Sequence, residues 1–458
     1  MSTATATAAA LASNSEALYT EYVNPQWVRL LEVLGMKVRY ERCEGVELHT
    51  ADGRAILDFL SGYCVHNAGY NHPAIVAAIR AELDRRGPGM LQSHVPELAG
   101  ELAAALCERA GGNLSKVFFA SSGSEAVEAA IKFSRAHTKR SGLLSASGAF
   151  HGLTLGSLSL MDDPFWRGNF GPFLEGCETV PFADLASLEQ RLATRRFAAF
   201  LVEPLQAEAG IRVPPPGYLR AAHELCRKYG TVFVLDEVQT GMYRTGPFLA
   251  AHHDHASADI VVLAKALSGG LIPVSATLMT DEIYRAVFGS LKRSIVHAST
   301  FSENPLSMRA GLAALETIEV EGLGPRATER GEYLRERLAE SLSGYEMVKE
   351  IRGLGLLNGI EFQPPKKVAL RVPFQTFHAI HPAMFGQVVV MRLFRDHGIL
   401  AQICGNHFHT LKCAPPLIVT EEQLDRFVDA LTSVVDLMHT SPLFWTEALG
   451  MARRVVNI

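Results

Sequence analysis

Two successive apolar runs end in charge. Val232-Phe-Val-Leu235 runs into Asp236 and Glu237, and Ile260-Val-Val-Leu-Ala264 runs into Lys265. A buried charge is costly unless paired, so these residues read either as an ion pair or as working groups. A lysine amine in such a place can attack a carbonyl carbon and form a Schiff base. Desolvation and nearby positive charge lower its pKa and leave part of it unprotonated. A carboxylate beside it can hold a proton on a ring nitrogen. A third group lies upstream, where Val117–Ala120 runs into Ser121-Ser122-Gly123-Ser124 and then a helical pattern. Free N–H groups at a helix start favour an anion. Gly123 lets the backbone approach closely, and the hydroxyls add donors. Taken alone, this segment is better read as an ordinary serine N-cap.

Together, Lys265, Asp236 and the turn at Ser122–Ser124 supply what pyridoxal phosphate requires. Placing them takes strands that end side by side. Short apolar runs at 117–120, 198–202, 232–235, 260–263 and 274–279 alternate with helical patterns at 124–137, 217–229 and 305–319. Continuous apolar strands between helices imply an α/β unit with a mainly parallel sheet covered on both faces. In parallel sheets, ligands bind at the carboxyl ends of the strands. From about residue 326 the pattern becomes α+β. It has helical stretches at 325–343, 385–397 and 421–438 and strands at 347–351, 356–362, 399–403 and 408–413. The expected organisation is an N-terminal arm (1–20), a segment packing with the smaller domain (21–60), a large domain (61–325) and a small domain (326–458). The stretch Gln363 to Ala383 holds four prolines and reads as a loop.

Composition bounds the rest. The chain has 458 residues, 48% hydrophobic and 20% charged, and carries a formal charge of −5. That excludes a disordered chain and gives no basic stripe for nucleic acid. No apolar run approaches the ~18 residues of a membrane span. Seven cysteines without CxxC spacing read as free thiols. The first 28 residues hold no Lys or Arg, so the Ala-rich stretch Thr3–Ala12 is no secretory or mitochondrial leader and a cytoplasmic location is expected. Gly353-Leu-Gly-Leu-Leu-Asn-Gly359 has the wrong spacing for a dinucleotide loop, and neither a P-loop nor a GxSxG elbow occurs. His252-His-Asp-His255 is set aside as a metal site because consecutive side chains point apart.

Ordered segments then carry a resemblance across residues 25–440. They are SGSEAVEAA (122–130), GAFHG (148–152), LVEPLQAEAG (201–210), VFVLDEVQTGMYRTG (232–246), LAKALSGGLIPVSA (263–276) and TFSENPLSMRAGLAAL (300–315), with Asp58–Tyr63 and Gly69–Pro73 upstream. The sequence resembles the class III (ω-amino) aminotransferases of fold type I. The resemblance implies a large domain with a mainly parallel seven-stranded sheet, a smaller α+β domain formed by both chain ends, and a homodimer with shared active sites. It also implies residue roles. Lys265 carries pyridoxal 5'-phosphate as an aldimine and shuttles the proton. Asp236 keeps the ring nitrogen protonated, Phe150 and Val238 cover the ring faces, and Gln239 donates to the ring's phenolic oxygen. Gly123 and Ser124, with Ser122 in the same turn, bind phosphate, and Thr300 does so from the neighbouring subunit. Glu203 supports the site from behind, and His151 is read as a pocket wall.

The sequence departs from its relatives in two places. Ornithine and acetylornithine aminotransferases carry Arg where Leu153 stands, and that Arg serves the donor's distal carboxylate. Lys412 stands where relatives hold an Arg for an α-carboxylate, with Glu208 retained as its acidic partner and Tyr63 facing substrate. Lys is a point charge where Arg is a fork. The expected substrates are a diamine, polyamine or aliphatic, lipid-like amine as donor and a 2-oxo acid as acceptor. An ornithine-type transaminase, another fold-type-I enzyme (aminomutase, racemase or decarboxylase) and a non-enzymatic binding module are the alternatives.

Overall fold

The computed structural model describes residues 16–380, 385–405 and 407–456. The Ala-rich stretch Thr3–Ala12 lies outside the described residues. The chain is already helical over 16–22, a stretch that begins inside the segment expected as an arm (1–20) and runs past its end.

Among the described residues there are three sheets. An N-terminal meander of β1 (Tyr40–Glu44), β2 (Glu47–Thr50) and β3 (Ala55–Asp58) opens the chain. The central sheet follows as β4 (Leu114–Ala120), β5 (Gly142–Ala146), β6 (Cys177–Val180), β7 (Phe197–Val202), β8 (Val232–Asp236), β9 (Ile260–Leu263) and β10 (Ser275–Thr280). The C-terminal part supplies β11 (Val348–Leu354), β12 (Leu357–Phe362), β13 (Ile399–Leu400), β14 (Gln402–Cys404) and β15 (His407–Cys413).

The seven central strands run in the order β4-β10-β9-β8-β7-β5-β6. Neighbours are parallel except at β10, which is antiparallel to both β4 and β9. The carboxyl ends of β4, β5, β7, β8 and β9 therefore share one edge. Every residue of β7 and β8 is buried, as continuous apolar runs require of strands covered on two faces. The helix Gly123–Thr138 lays Ala126, Ala129 and Ala130 on the sheet beside Val127, Ile131 and Phe133. The small residues let it approach closely, and each larger one contributes about 1.5–3 kcal/mol on burial.

Strands β11-β12-β15-β14 form a separate antiparallel sheet, while β13 pairs parallel with β3 through Ile399↔Leu57 and Leu400↔Asp58. A strand from the C-terminal part thus completes the N-terminal sheet. The proline-rich stretch expected as a loop instead contains a helix, Val368–Ile380, with Pro373 inside it. Leu370, Phe374 and Phe377 recur at helical spacing and are buried. An interior proline costs about 3 kcal/mol; three buried side chains at about 1.5–3 kcal/mol each outweigh it. The same helix packs on the C-terminal helix Pro442–Val456, where Phe374 meets the edge of Trp445.

Candidate active site

Five strand ends converge on one cavity of about 450 Å³. It receives Ser122, Gly123 and Ser124 after β4, Phe150 and His151 after β5, and Glu203 after β7. Asp236, Val238 and Gln239 come after β8 and Lys265 after β9. All ten had been picked out from sequence. Leu271–Val274, which lead into β10, line it as well, a contribution that only the antiparallel direction of that strand explains.

Asp236↔Val262 pairing sets the last residue of β8 beside the end of β9, so Lys265 projects at the same edge. Lys265 is half-buried and holds φ 48, in the left-handed region. That conformation costs about 1–2 kcal/mol in a residue with a Cβ. Its Nζ donates to Gln239 Oε1 at 3.3 Å. Burial lowers the pKa of the amine, against the opposing pull of Glu208 and Asp236.

The two acids at the end of β8 part company. Asp236 faces the cavity, where Oδ1 accepts the Val238 N–H at 3.0 Å and Oδ2 pairs with His151 Nδ1 at 2.8 Å. Glu237 turns into the core, where it accepts the Ala250 and Ala251 N–H groups at 3.0 and 2.9 Å and the Thr240 hydroxyl. Burial pushes the Glu237 carboxyl up to about 7. Glu203 also sits at about 7, raised by burial, and accepts the N–H groups of Phe150 and Ala207 at 3.0 and 3.3 Å. It fixes the backbone of Phe150. Trp166 braces the Phe150 ring, edge-on at 5.3 Å.

The anion cradle is both things its sequence allowed. Ser122 is the N-cap of the helix Gly123–Thr138, with its hydroxyl engaged by Glu125. The same helix start lines the cavity, so its unpaired N–H groups and dipole face the space. Ser124 Oγ accepts the Leu153 N–H at 3.3 Å. Gly152, at φ +113, has no room for a side chain beside Ser124.

These residues fit pyridoxal phosphate. Gln239 Nε2 and His151 Nε2 are buried polar atoms with no hydrogen-bond partner. Together with a helix N-terminus and an amine of lowered pKa, they form a donor set for a phosphorylated heteroaromatic aldehyde.

None of the four expected substrate residues is among those lining the cavity; Tyr63, Glu208 and Lys412 form one group, and Leu153 stands beside Ser124. Lys412, in β15, is wholly buried and ion-paired with Glu208, whose other oxygen accepts the Gly405 N–H at 3.0 Å. Burial would pull the Lys412 ammonium down, but Glu208 outweighs it and holds it above its ordinary value. Tyr63 lies over Lys412, with 5.5 Å from Nζ to the ring centroid, and remains 42% exposed. Tyr63 belongs to a left-handed turn, Ser61–Cys64, in which all four residues have positive φ. Asp58 holds that turn by accepting the N–H groups of Leu60 and Ser61 at 2.7 and 3.0 Å, and Ser61 donates to Ala414 O at 2.8 Å. Leu153 is 53% exposed. Thr300 lies away from the cavity, in a surface hollow of about 430 Å³.

His252, His253 and Asp254 are engaged with the backbone. Asp254 accepts the N–H groups of Leu219 and Arg220 at 2.9 and 3.3 Å, and His252 and His253 bond to backbone carbonyls. Arg352 donates to the carbonyls of Gly210 and Ile211 at 3.1 and 3.0 Å. Cys404 and Cys413 are buried strand residues, and all seven cysteines are free. Among the described residues, no helix is long and apolar enough to cross a membrane.

Residues 32–435 match the family described as aminotransferase class-III. The chain is 35% identical to the aminotransferase PigE of a Serratia species across 92% of its own length and 53% of that protein. It therefore spans about half of that relative. It is 38% identical to the acetylornithine aminotransferase of Mycolicibacterium smegmatis, across 86% of this chain and 92% of that one. The crystal structure of ornithine aminotransferase from Toxoplasma gondii superposes with a TM-score of 0.82 at 29% identity, covering 93% of this chain and 95% of the other.

Proposed function

This chain belongs to the class III aminotransferases, which depend on pyridoxal phosphate, and from that premise we propose that it moves a terminal amino group from an amine lacking a distal carboxylate to a 2-oxo acid. One observation carries the donor class. Among the described residues lining the cavity, Lys265 is the one Lys or Arg, and Leu153, next to the lining residue Gly152 and bonded to Ser124, stands where an arginine would serve a distal carboxylate. A diamine, polyamine or aliphatic amine matches that lining.

When bound, pyridoxal phosphate supplies an electron sink for the electron pair freed at the substrate carbon. Lys265 would hold the cofactor, and its amine would accept the proton from the substrate carbon. The lowered pKa keeps part of the amine ready to accept that proton. Asp236 holds the proton on the ring nitrogen, with His151 fixing its carboxylate. Phe150 and Val238 would pack against the cofactor, Gln239 would donate from its unpartnered Nε2, and the helix start at Ser122–Ser124 would take the phosphate. Lys412 and Glu208 serve the oxo acid.

Half-reactions test this reading. The cofactor absorbance should bleach with putrescine and a long-chain amine and recover with pyruvate or 2-oxoglutarate. Exclusive bleaching by ornithine overturns the donor class, and bleaching without recovery overturns transamination.

We infer further that two copies assemble and share their sites. Thr300 shares its hollow with the exposed apolar residues Met90, Leu91 and Ile295, a surface suited to burial against a second copy. The family resemblance puts a threonine at this position on a partner's phosphate. Light scattering should give a dimer, and Thr300→Ala should weaken cofactor binding; a monomer with full cofactor affinity overturns this.

A further inference from the structure

Lys412 cannot act as the arginine of its relatives acts. It is wholly buried, and Glu208 takes one of its three donors. Two residues stand around it. Tyr63 covers it with its ring. Gln402 is its direct cross-strand partner in the antiparallel pair β14–β15, and opposite residues in such a pair project on the same face. Gln402 is only partly buried.

The Gln402 amide has a defined orientation. Its Oε1 accepts the Ile403 N–H at 2.8 Å and the Gln387 Nε2 at 3.1 Å, which saturates the carbonyl oxygen. The Nε2 group is thereby left as the donor of this amide, on the strand face that Gln402 shares with Lys412. This corner borders the cavity, since Val65, two residues after Tyr63, lines it.

We propose that the carboxylate of the 2-oxo acid is received by Gln402 Nε2 and the Tyr63 hydroxyl, with Lys412 supplying charge from behind. The inference deepens the transaminase reading and rests on it. An arginine combines charge and two donors in one planar fork; here the charge sits on Lys412 and the donors on Gln402 and Tyr63. Gln402 is then a specificity residue for the acceptor, because a neutral amide and a phenol give a second carboxylate no further cation to pair with.

Two variants and two readouts test it. Loss of one hydrogen bond to a charged group corresponds to about tenfold or more in affinity. Gln402→Ala should raise the KM for pyruvate about tenfold or more, with the loss concentrated in the oxo-acid half-reaction. Gln402→Glu, which sets a negative charge against the carboxylate, should raise it further. Calorimetric binding of pyruvate to the cofactor-loaded protein should weaken in parallel. Unchanged KM and unchanged binding in both variants overturn the proposal, as does equal damage to the amine half-reaction. If the wild type fails to transaminate yet binds pyruvate through Gln402, the transaminase reading falls and the carboxylate grip stands.

Discussion

His151 Nδ1 lies 2.8 Å from Asp236 Oδ2, with both side chains buried. An ionised carboxylate only accepts, so Nδ1 carries the proton. Burial alone would push the imidazole pKa down, but Asp236 outweighs it and holds it above the ordinary value. The pair orients Asp236 toward the cavity while Val238 N–H secures the other oxygen. His151→Gln removes a charge-assisted bond worth about 1.5–3 kcal/mol. The cofactor should then bind about tenfold more weakly or worse and kcat should fall, both read by absorbance titration and steady-state rates.

Glu203 and Glu237 set a pH dependence. Both carboxyls are raised by burial to about 7 from 4.5. Between these values the unfolded chain releases the protons while the folded chain keeps them. Stability should therefore fall as pH rises through this window, by about 1.4 kcal/mol per pH unit for each group. Glu237→Gln keeps an acceptor for the Ala250 and Ala251 N–H groups and should flatten the slope. Urea unfolding of the cofactor-free protein between about pH 5 and 7 measures it.

Much of this site was legible because it sits at strand ends. Asp236, Lys265 and Ser122–Ser124 each follow an apolar run, so local pattern and a parallel sheet together brought them to one edge. The separation of Asp236 from Glu237 was not legible, since it depends on the Ala250–Asp254 helical turn meeting Glu237 from elsewhere in the chain. Gln402 was missed for a similar reason. Its link to Lys412 exists only through the register of β14 against β15, and no local pattern announces a hairpin register. The helix Val368–Ile380 was misread because the four prolines in and around it outweighed the i, i+4, i+7 spacing of Leu370, Phe374 and Phe377.

Glu208 and Lys412 form a buried pair whose parts depend on each other. Glu208→Ala leaves the Lys412 ammonium buried without its counter-charge. Removing one partner of a buried pair costs about 3–5 kcal/mol, and the Lys412 pKa should fall from its raised position. Chemical denaturation should show that loss, while Glu208→Ala combined with Lys412→Met should recover a large part of it.

Gly152 is required by shape. Its φ of +113 disfavours any other residue, and a methyl there would overlap Ser124 Oγ. Gly152→Ala should push Ser124 off the helix start and shift the Phe150–Leu153 loop. A destabilisation above about 2 kcal/mol and weaker cofactor retention are the expected outcomes, checked by thermal unfolding with and without added cofactor.

Leu153 offers the most direct test of donor choice. It follows Phe150, His151 and Gly152 at the cavity edge, and its N–H is anchored on Ser124 Oγ, so its Cα position is fixed by the cradle itself. On the proposed reading, a side chain on that backbone meets the donor's far end. Leucine offers apolar area there and no charge. Leu153→Arg would place a guanidinium fork at the same point, and its exposure of 53% leaves the longer side chain space to extend. A charge-assisted bidentate contact with a distal carboxylate is worth about 1.5–3 kcal/mol. The ratio of kcat/KM for ornithine over putrescine should therefore rise at least about tenfold, since ornithine gains a contact and putrescine meets a like charge at its second ammonium. An unchanged ratio would show that the donor's far end lies elsewhere in the cavity.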